Sequence, residues 1–163
     1  MYQRELSFME ACKKVYLKNY FNFEGRASRS EFWWAYLGQY AVSMVVYMIS
    51  MFFCGFLIPI LAINIDSDMD EATFFGILFL SMIPMIIFGL AIAIPMLGVS
   101  ARRLHDIGKS GWWYLISLIP FGGLLLIYWW AQPSEMRPNQ YGEVPNLEES
   151  PYDMANYYNN PQW

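Results

Sequence analysis

Three runs of apolar residues dominate the chain, at 32–65, 73–101 and 112–130, and short charged stretches separate them. The first has 34 residues without Asp, Glu, Lys or Arg. As a helix rising about 1.5 Å per residue it measures about 50 Å, more than a hydrocarbon core of about 30 Å. It predicts one crossing, over about residues 32–60, with Gly55 and Pro59 marking a kink or the outer end. The second run holds Pro84 and Pro95 together with Gly76, Gly89 and Gly98. It predicts a kinked or broken span over 73–101, whose freed backbone groups neighbouring helices must satisfy. The third run has 19 residues and paired tryptophans at both ends, where indoles favour the headgroup level. It predicts a third span over 112–130, departing from a straight helix at Pro120, Gly122 and Gly123.

Ahead of these runs, Phe8, Cys12, Val15, Tyr16, Asn19 and Tyr20 recur at helical spacing, opposite Glu10, Lys13, Lys14 and Lys18. This pattern predicts an amphipathic helix that lies in the headgroup layer or packs on the ends of the spans. Gly25 is placed to end it in a left-handed cap, and Ser28 with Glu31 reads as a capping box opening the first span. Gly108 and Ser110, with Gly111, form the matching turn between the second and third runs. The expected organisation is a segment 1–27, a three-span domain 28–131 and a tail 132–163. In the tail, Pro133, Pro138, Pro145, Pro151 and Pro161 exclude a long helix and predict an extended, solvated chain.

The whole is therefore an all-α polytopic membrane protein with three proline-kinked spans and an interfacial helix. Its 56% hydrophobic and 15% charged residues exclude an ordinary soluble domain, and a net charge of −4 argues against nucleic acid. Lys and Arg set the direction: residues 1–31 hold six, 101–110 hold three, 66–71 none, and the tail only Arg137. With three crossings the N-terminus is cytoplasmic and the C-terminus external.

For chemistry, two basic turns stand out. Arg26, Arg29, Arg102, Arg103 and Lys109 gather at one interface beside Trp33, Trp34, Trp112 and Trp113, a composition that attracts phosphate or carboxylate groups. The plainer reading is that these cations enforce topology and pair with Glu31 and Asp106. His105 beside Asp106 invites an acid–base reading, but neighbours on a helix point about 100° apart and no nucleophile accompanies them. One histidine and two distant cysteines, Cys12 and Cys54, cannot make a metal site. No metal or cofactor is expected.

The strings from Phe23 to Trp34 and from Arg102 to Trp113, the Leu118-Ile119-Pro120 core of the third run, and Asn139-Gln140-Tyr141-Gly142 followed by Pro145 resemble the domain of unknown function 805 family. The resemblance implies a small multi-pass protein of the bacterial inner membrane and brings no activity, cofactor or catalytic residue. The expected function is non-enzymatic: a cytoplasmic arginine and tryptophan face that engages anionic lipid or a membrane-protein partner, the chain being alone or a homo-oligomer. The alternatives are an oligomeric channel or small-solute transporter built on the broken spans, and a lipid-acting enzyme using His105 and Asp106.

Overall fold

The computed structural model describes residues 2–57, 60 and 71–148. Pro59, the acidic segment 66–70 and the tail beyond Glu148 lie outside the described residues. The elements run β1 (Tyr2–Gln3), α1 (Phe8–Lys13) prolonged by a wide π turn (Lys14–Lys18), α2 (Arg29–Phe52) with a second wide turn (Phe53–Leu57), and α3 (Glu71–Asp106). A 3-10 helix (Gly111–Leu118), α4 (Gly122–Ala131) and β2 (Leu147–Glu148) follow. Two compact units result, one made of Met1–Tyr36 with Pro95–Trp163 and the other of Leu37–Ile94.

Two stretches, Arg29–Phe56 and Met82–Asp106, are long and apolar enough to cross a membrane. In the unit Leu37–Ile94 the large apolar side chains point outward, among them Met44, Met48, Phe79 and Leu90. A helix apolar all round has no water-facing side, and outward apolar residues suit a hydrocarbon solvent. α3 continues unbroken through Pro84 and Pro95, so the break that was one of the two expectations does not occur. Each proline removes a single N–H from the ladder, and the remaining bonds carry the helix across.

The first unit opens on a capping box. Ser7 Oγ accepts from the Glu10 N–H while the Glu10 carboxylate accepts from the Ser7 N–H, which starts α1. Those bonds hold the exposed Glu10 carboxyl below its usual range. The cap is therefore complete at neutral pH and is lost as pH falls through that lowered value. Ala11 and Val15 are fully buried, Phe8 meets Trp34 edge-on at 5.9 Å, and the Tyr16 hydroxyl donates to the Ala35 carbonyl at 2.8 Å. Burial, aided by Cys12, pushes the Tyr16 pKa to about 12, so it stays a donor at any working pH. The N-terminal helix thus packs on the start of α2.

The third apolar run is not one helix. Its first arm is 3-10 from Gly111 to Leu118 and its second is α4, and the two fold back on each other. Ile119 is extended, as a residue before proline prefers, and Phe121 is left-handed at φ +66. At the crossing point Gly122 lies so close to the first arm that a Cβ would fall 1.8 Å from the Ile116 carbonyl oxygen. The far ends meet again: Trp113 packs edge-on against Trp129 at 5.6 Å, and the Lys109 ammonium sits 4.7 Å over the Trp129 ring. Each arm is about 15 Å long, half of a hydrocarbon core. A hairpin whose ends rejoin stands where one continuous helix over 112–130 was expected.

The tail after the hairpin is irregular, as its prolines require, but it is not free. β2 pairs antiparallel with β1, with Tyr2 opposite Glu148 and Gln3 opposite Leu147, and the Arg4 N–H donates to the Asn146 carbonyl at 2.9 Å. The described tail, through Glu148, is strand-paired to the N-terminal segment.

Gly122→Ala is expected to lower stability by about 1–3 kcal/mol, since a backbone oxygen must move to admit the methyl group. Gly123→Ala, with nothing within 4 Å of its Cβ position, is expected to be neutral or slightly stabilising. Thermal unfolding of both variants in detergent, followed by tryptophan fluorescence, checks the pair.

Candidate functional site

The two basic turns converge within the first unit, on the N-terminus of α2 and the C-terminus of α3. Ser28 Oγ accepts from the Glu31 N–H at 3.2 Å and caps α2. The Glu31 side chain turns away from that cap. At α3's end, Gly108 is left-handed at φ +72, its N–H bonds the His105 carbonyl and the Lys109 N–H bonds the Leu104 carbonyl, the pattern of a Schellman stop. Ser110 then caps the hairpin by accepting from the Trp112 N–H. Gly25 is also left-handed, at φ +81. It lies in the loop before α2, whereas the N-terminal helix already ends at Asn19, so Gly25 turns the loop and does not cap that helix.

Between these turns lie five buried charges, Arg26, Glu31, Arg102, Arg103 and Asp106. Glu31 Oε1 pairs with Arg102 Nη1 at 2.5 Å, and its Oε2 lies 2.6 Å from the Lys14 ammonium. Asp106 is shared: Oδ1 accepts from Arg26 Nε at 3.0 Å and Oδ2 from Arg103 Nη1. Further donors of Arg26 and Arg103 reach backbone carbonyls at the end of α4 and in the segment after it. Arg26 bonds those of Glu135 and Arg137, and Arg103 bonds those of Trp130 and Gln132. Arg102 keeps two buried donors, Nε and Nη2, with no acceptor among the described residues. Asn146 completes the junction, accepting from Lys14 at 3.0 Å and donating to Ser28 Oγ at 3.0 Å.

The nine residues proposed from sequence as a binding face therefore separate. Arg26, Arg102 and Arg103 are buried and committed to ion pairs. Arg29 is exposed with no ion pair among the described residues, and Lys109 covers Trp129. Trp33, Trp34, Trp112 and Trp113 are 38%, 39%, 79% and 51% exposed. Lys13 and Lys18, absent from the sequence-derived set, are exposed on the same unit; their place opposite the apolar positions of the N-terminal helix is the signal that marks them. His105 and Asp106 have separate partners. The imidazole Nδ1 donates to the Gly25 carbonyl at 3.1 Å and the ring stacks on Tyr141 at 3.9 Å, while the Asp106 carboxylate serves the arginines. Among the described residues no group of three His, Cys, Asp or Glu could hold a metal ion.

Comparison with known proteins identifies the family. The model for the family described as "Protein of unknown function (DUF805)" matches residues 20–143, which contain both turns, the hairpin and residues 132–143 of the tail. The chain belongs to the DUF805 family. It is 35% identical over 133 residues to inner membrane protein YhaH of Escherichia coli strain K12, covering 81% of this chain and 93% of that protein. It is 32% identical over 132 residues to inner membrane protein YhaI of the same strain, covering 80% and 92%. Solved structures offer no match. By homology this DUF805 member is an inner-membrane protein.

Truncating Asp106 leaves two buried guanidiniums without their carboxylate. Asp106→Ala is expected to cost about 3–5 kcal/mol, the usual penalty for an orphaned buried charge, against less than about 1 kcal/mol for Glu10→Ala at the exposed Arg4 pair and its cap. Denaturation midpoints in matched detergent measure the difference.

Proposed function

We propose that this protein is a non-enzymatic, two-crossing membrane protein whose folded head sits on the cytoplasmic face and holds anionic lipid. The observation that carries the topology is the joining of the tail to the N-terminal segment. With that joining, the six cations of residues 1–31, the three of 101–110 and Arg137 all belong to one unit. All ten Lys and Arg residues then lie on one side of the membrane, a stronger bias than three crossings allow. The hairpin dips into the inner leaflet and returns, its exposed tip of Leu118, Phe121 and Leu124 in the hydrocarbon.

The lipid contact rests on what the ion pairs leave over. Lys13, Lys18 and Arg29 remain exposed beside Trp33, Trp34, Leu17 and Phe21. Indoles at headgroup level and cations over anionic lipid each favour that placement, and a cation near the surface contributes about 1 kcal/mol.

Two measurements test the reading. A fluorescent protein fused behind Trp163 is expected to be fluorescent in the cytoplasm, and an alkaline phosphatase at the same point inactive; an active phosphatase removes the two-crossing arrangement. Protein purified from vesicles of phosphatidylethanolamine with phosphatidylglycerol is expected to retain the anionic lipid in excess of its bulk share. Lys13→Gln/Lys18→Gln/Arg29→Gln is expected to lower that excess severalfold at low salt, roughly fivefold for each 1 kcal/mol removed. Unchanged retention counts against a lipid-binding head and leaves the same face to a protein partner.

A further inference from the structure

A cavity of about 540 Å³ opens in the first unit, between the end of α3 and the start of the hairpin. Five of its ten lining residues carry aromatic rings: Phe23, His105, Trp112, Tyr114 and Tyr141. The volume lies within the range of about 300–1,000 Å³ typical of small-molecule sites, and an apolar lining with one or two placed polar groups is their usual chemistry. Neither the ion-pair junction nor the exposed cationic face uses this space.

The polar group is His105, the chain's one histidine. Its Nδ1 faces the Gly25 carbonyl at 3.1 Å. A carbonyl only accepts, so the proton sits on Nδ1 and Nε2 presents a lone pair. Tyr141, stacked on the ring at 3.9 Å with 4° between planes, and the Gly25 bond together fix the imidazole. Gly111 leaves Nε2 uncovered: a Cβ there would lie 3.2 Å from Nε2 and 3.0 Å from the Ala101 Cβ. A fixed acceptor therefore faces an aromatic cavity and finds no protein donor among the described residues.

We propose that this cavity binds the head of a neutral, membrane-soluble phenol of the hydroquinone type, whose hydroxyl donates to His105 Nε2. Each part of that chemistry answers a feature of the site. An acceptor nitrogen repels carboxylate and phosphate and selects a hydroxyl donor. Flat walls at Tyr141, Trp112 and Tyr114 select a planar ring, which gains from stacking and edge contacts. Apolar Leu97, Ala101 and Leu115 line the remainder and suit a ring substituted with alkyl groups. The same acceptor discriminates against the oxidised quinone and against phenol ethers, which have the shape but no donor. Specificity of that kind is large, because it leaves a buried polar group unpaired when the wrong ligand enters.

With a single histidine, nitrogen magnetic resonance of 15N-histidine protein in lipid nanodiscs reads this site alone. In the free protein at pH 7.5 the Nδ1 resonance is expected to be protonated and Nε2 unprotonated. Titration with 4-ethylphenol is expected to shift Nε2 saturably toward the hydrogen-bonded value while Nδ1 holds; 4-ethylanisole, its oxygen etherified with one further methyl, and 4-ethylbenzoate are expected to leave Nε2 in place. Ala101→Leu, which fills the cavity, is expected to weaken the phenol response at least tenfold. If that variant fails to fold, Gly111→Ala, which covers Nε2, provides the same comparison. A protonated Nε2 in the free protein, no response to the phenol, equal responses to phenol and ether, or a response that survives both fillings overturns the proposal.

Discussion

Two carboxylates, Glu31 and Asp106, are shared among four cations at the meeting of α2 and α3, and three of those cations are buried arginines. Charges removed from water are costly unless paired and fully bonded, and the pairing alone seldom recovers the desolvation. A guanidinium carries five donors, more than two carboxylates can accept from three arginines. The surplus must go to backbone carbonyls. Within α3 most carbonyls are occupied by the helix itself, and apart from one bond from Arg26 to the Asp106 carbonyl at the helix end, Arg26 and Arg103 take theirs from residues 130–142. The path of the chain after the hairpin is thus a consequence of satisfying two arginines.

That requirement reaches back into the third apolar run. Trp130 and Gln132 must lie beside Arg103, one turn before α3 ends, so the run has to return to its starting level within 19 residues. A helix of that length would deliver its end about 28 Å away. Pro120, left-handed Phe121 and the bare backbone at Gly122 supply the reversal, and the indoles at its two ends pack together where a crossing would have separated them. The first arm of the hairpin also forms one side of the His105 cavity. Buried charge, hairpin and cavity form one connected structure, and the outward-facing cations are those the junction did not need.

The sequence made the two long spans readable, because runs free of charge have one stable solution in a bilayer. The turn chemistry at Ser28, Gly108 and Ser110 was equally visible, each residue type matching a local backbone requirement. The capping box at Ser7 and Glu10 was just as legible as a Ser-x-x-Glu string and passed unnoticed beside the amphipathic pattern. The hairpin was harder: length and terminal tryptophans satisfied the rules for a span, and the decisive fact, a glycine pressed against Ile116, is a contact and not a composition. The tail was harder still. Its prolines correctly exclude a helix, but bonds from arginine side chains to backbone carbonyls leave no residue signature on the accepting side. Of the candidate site, the grouping of residues was legible. Their division into committed arginines and free cations was not, since it depends on which donors reach which acceptors.

The central claim is that the buried ion pairs hold the tail against the N-terminal segment on one side of the membrane. Gln3 and Leu147 are opposed across the β1–β2 pair, close enough for a disulfide once both are cysteine. In intact membranes, with Cys12 and Cys54 replaced by serine, Gln3→Cys/Leu147→Cys should oxidise to an intramolecular disulfide, and adding Asp106→Ala should abolish it. No disulfide with Asp106 present would contradict the account, as would a disulfide formed equally well without it.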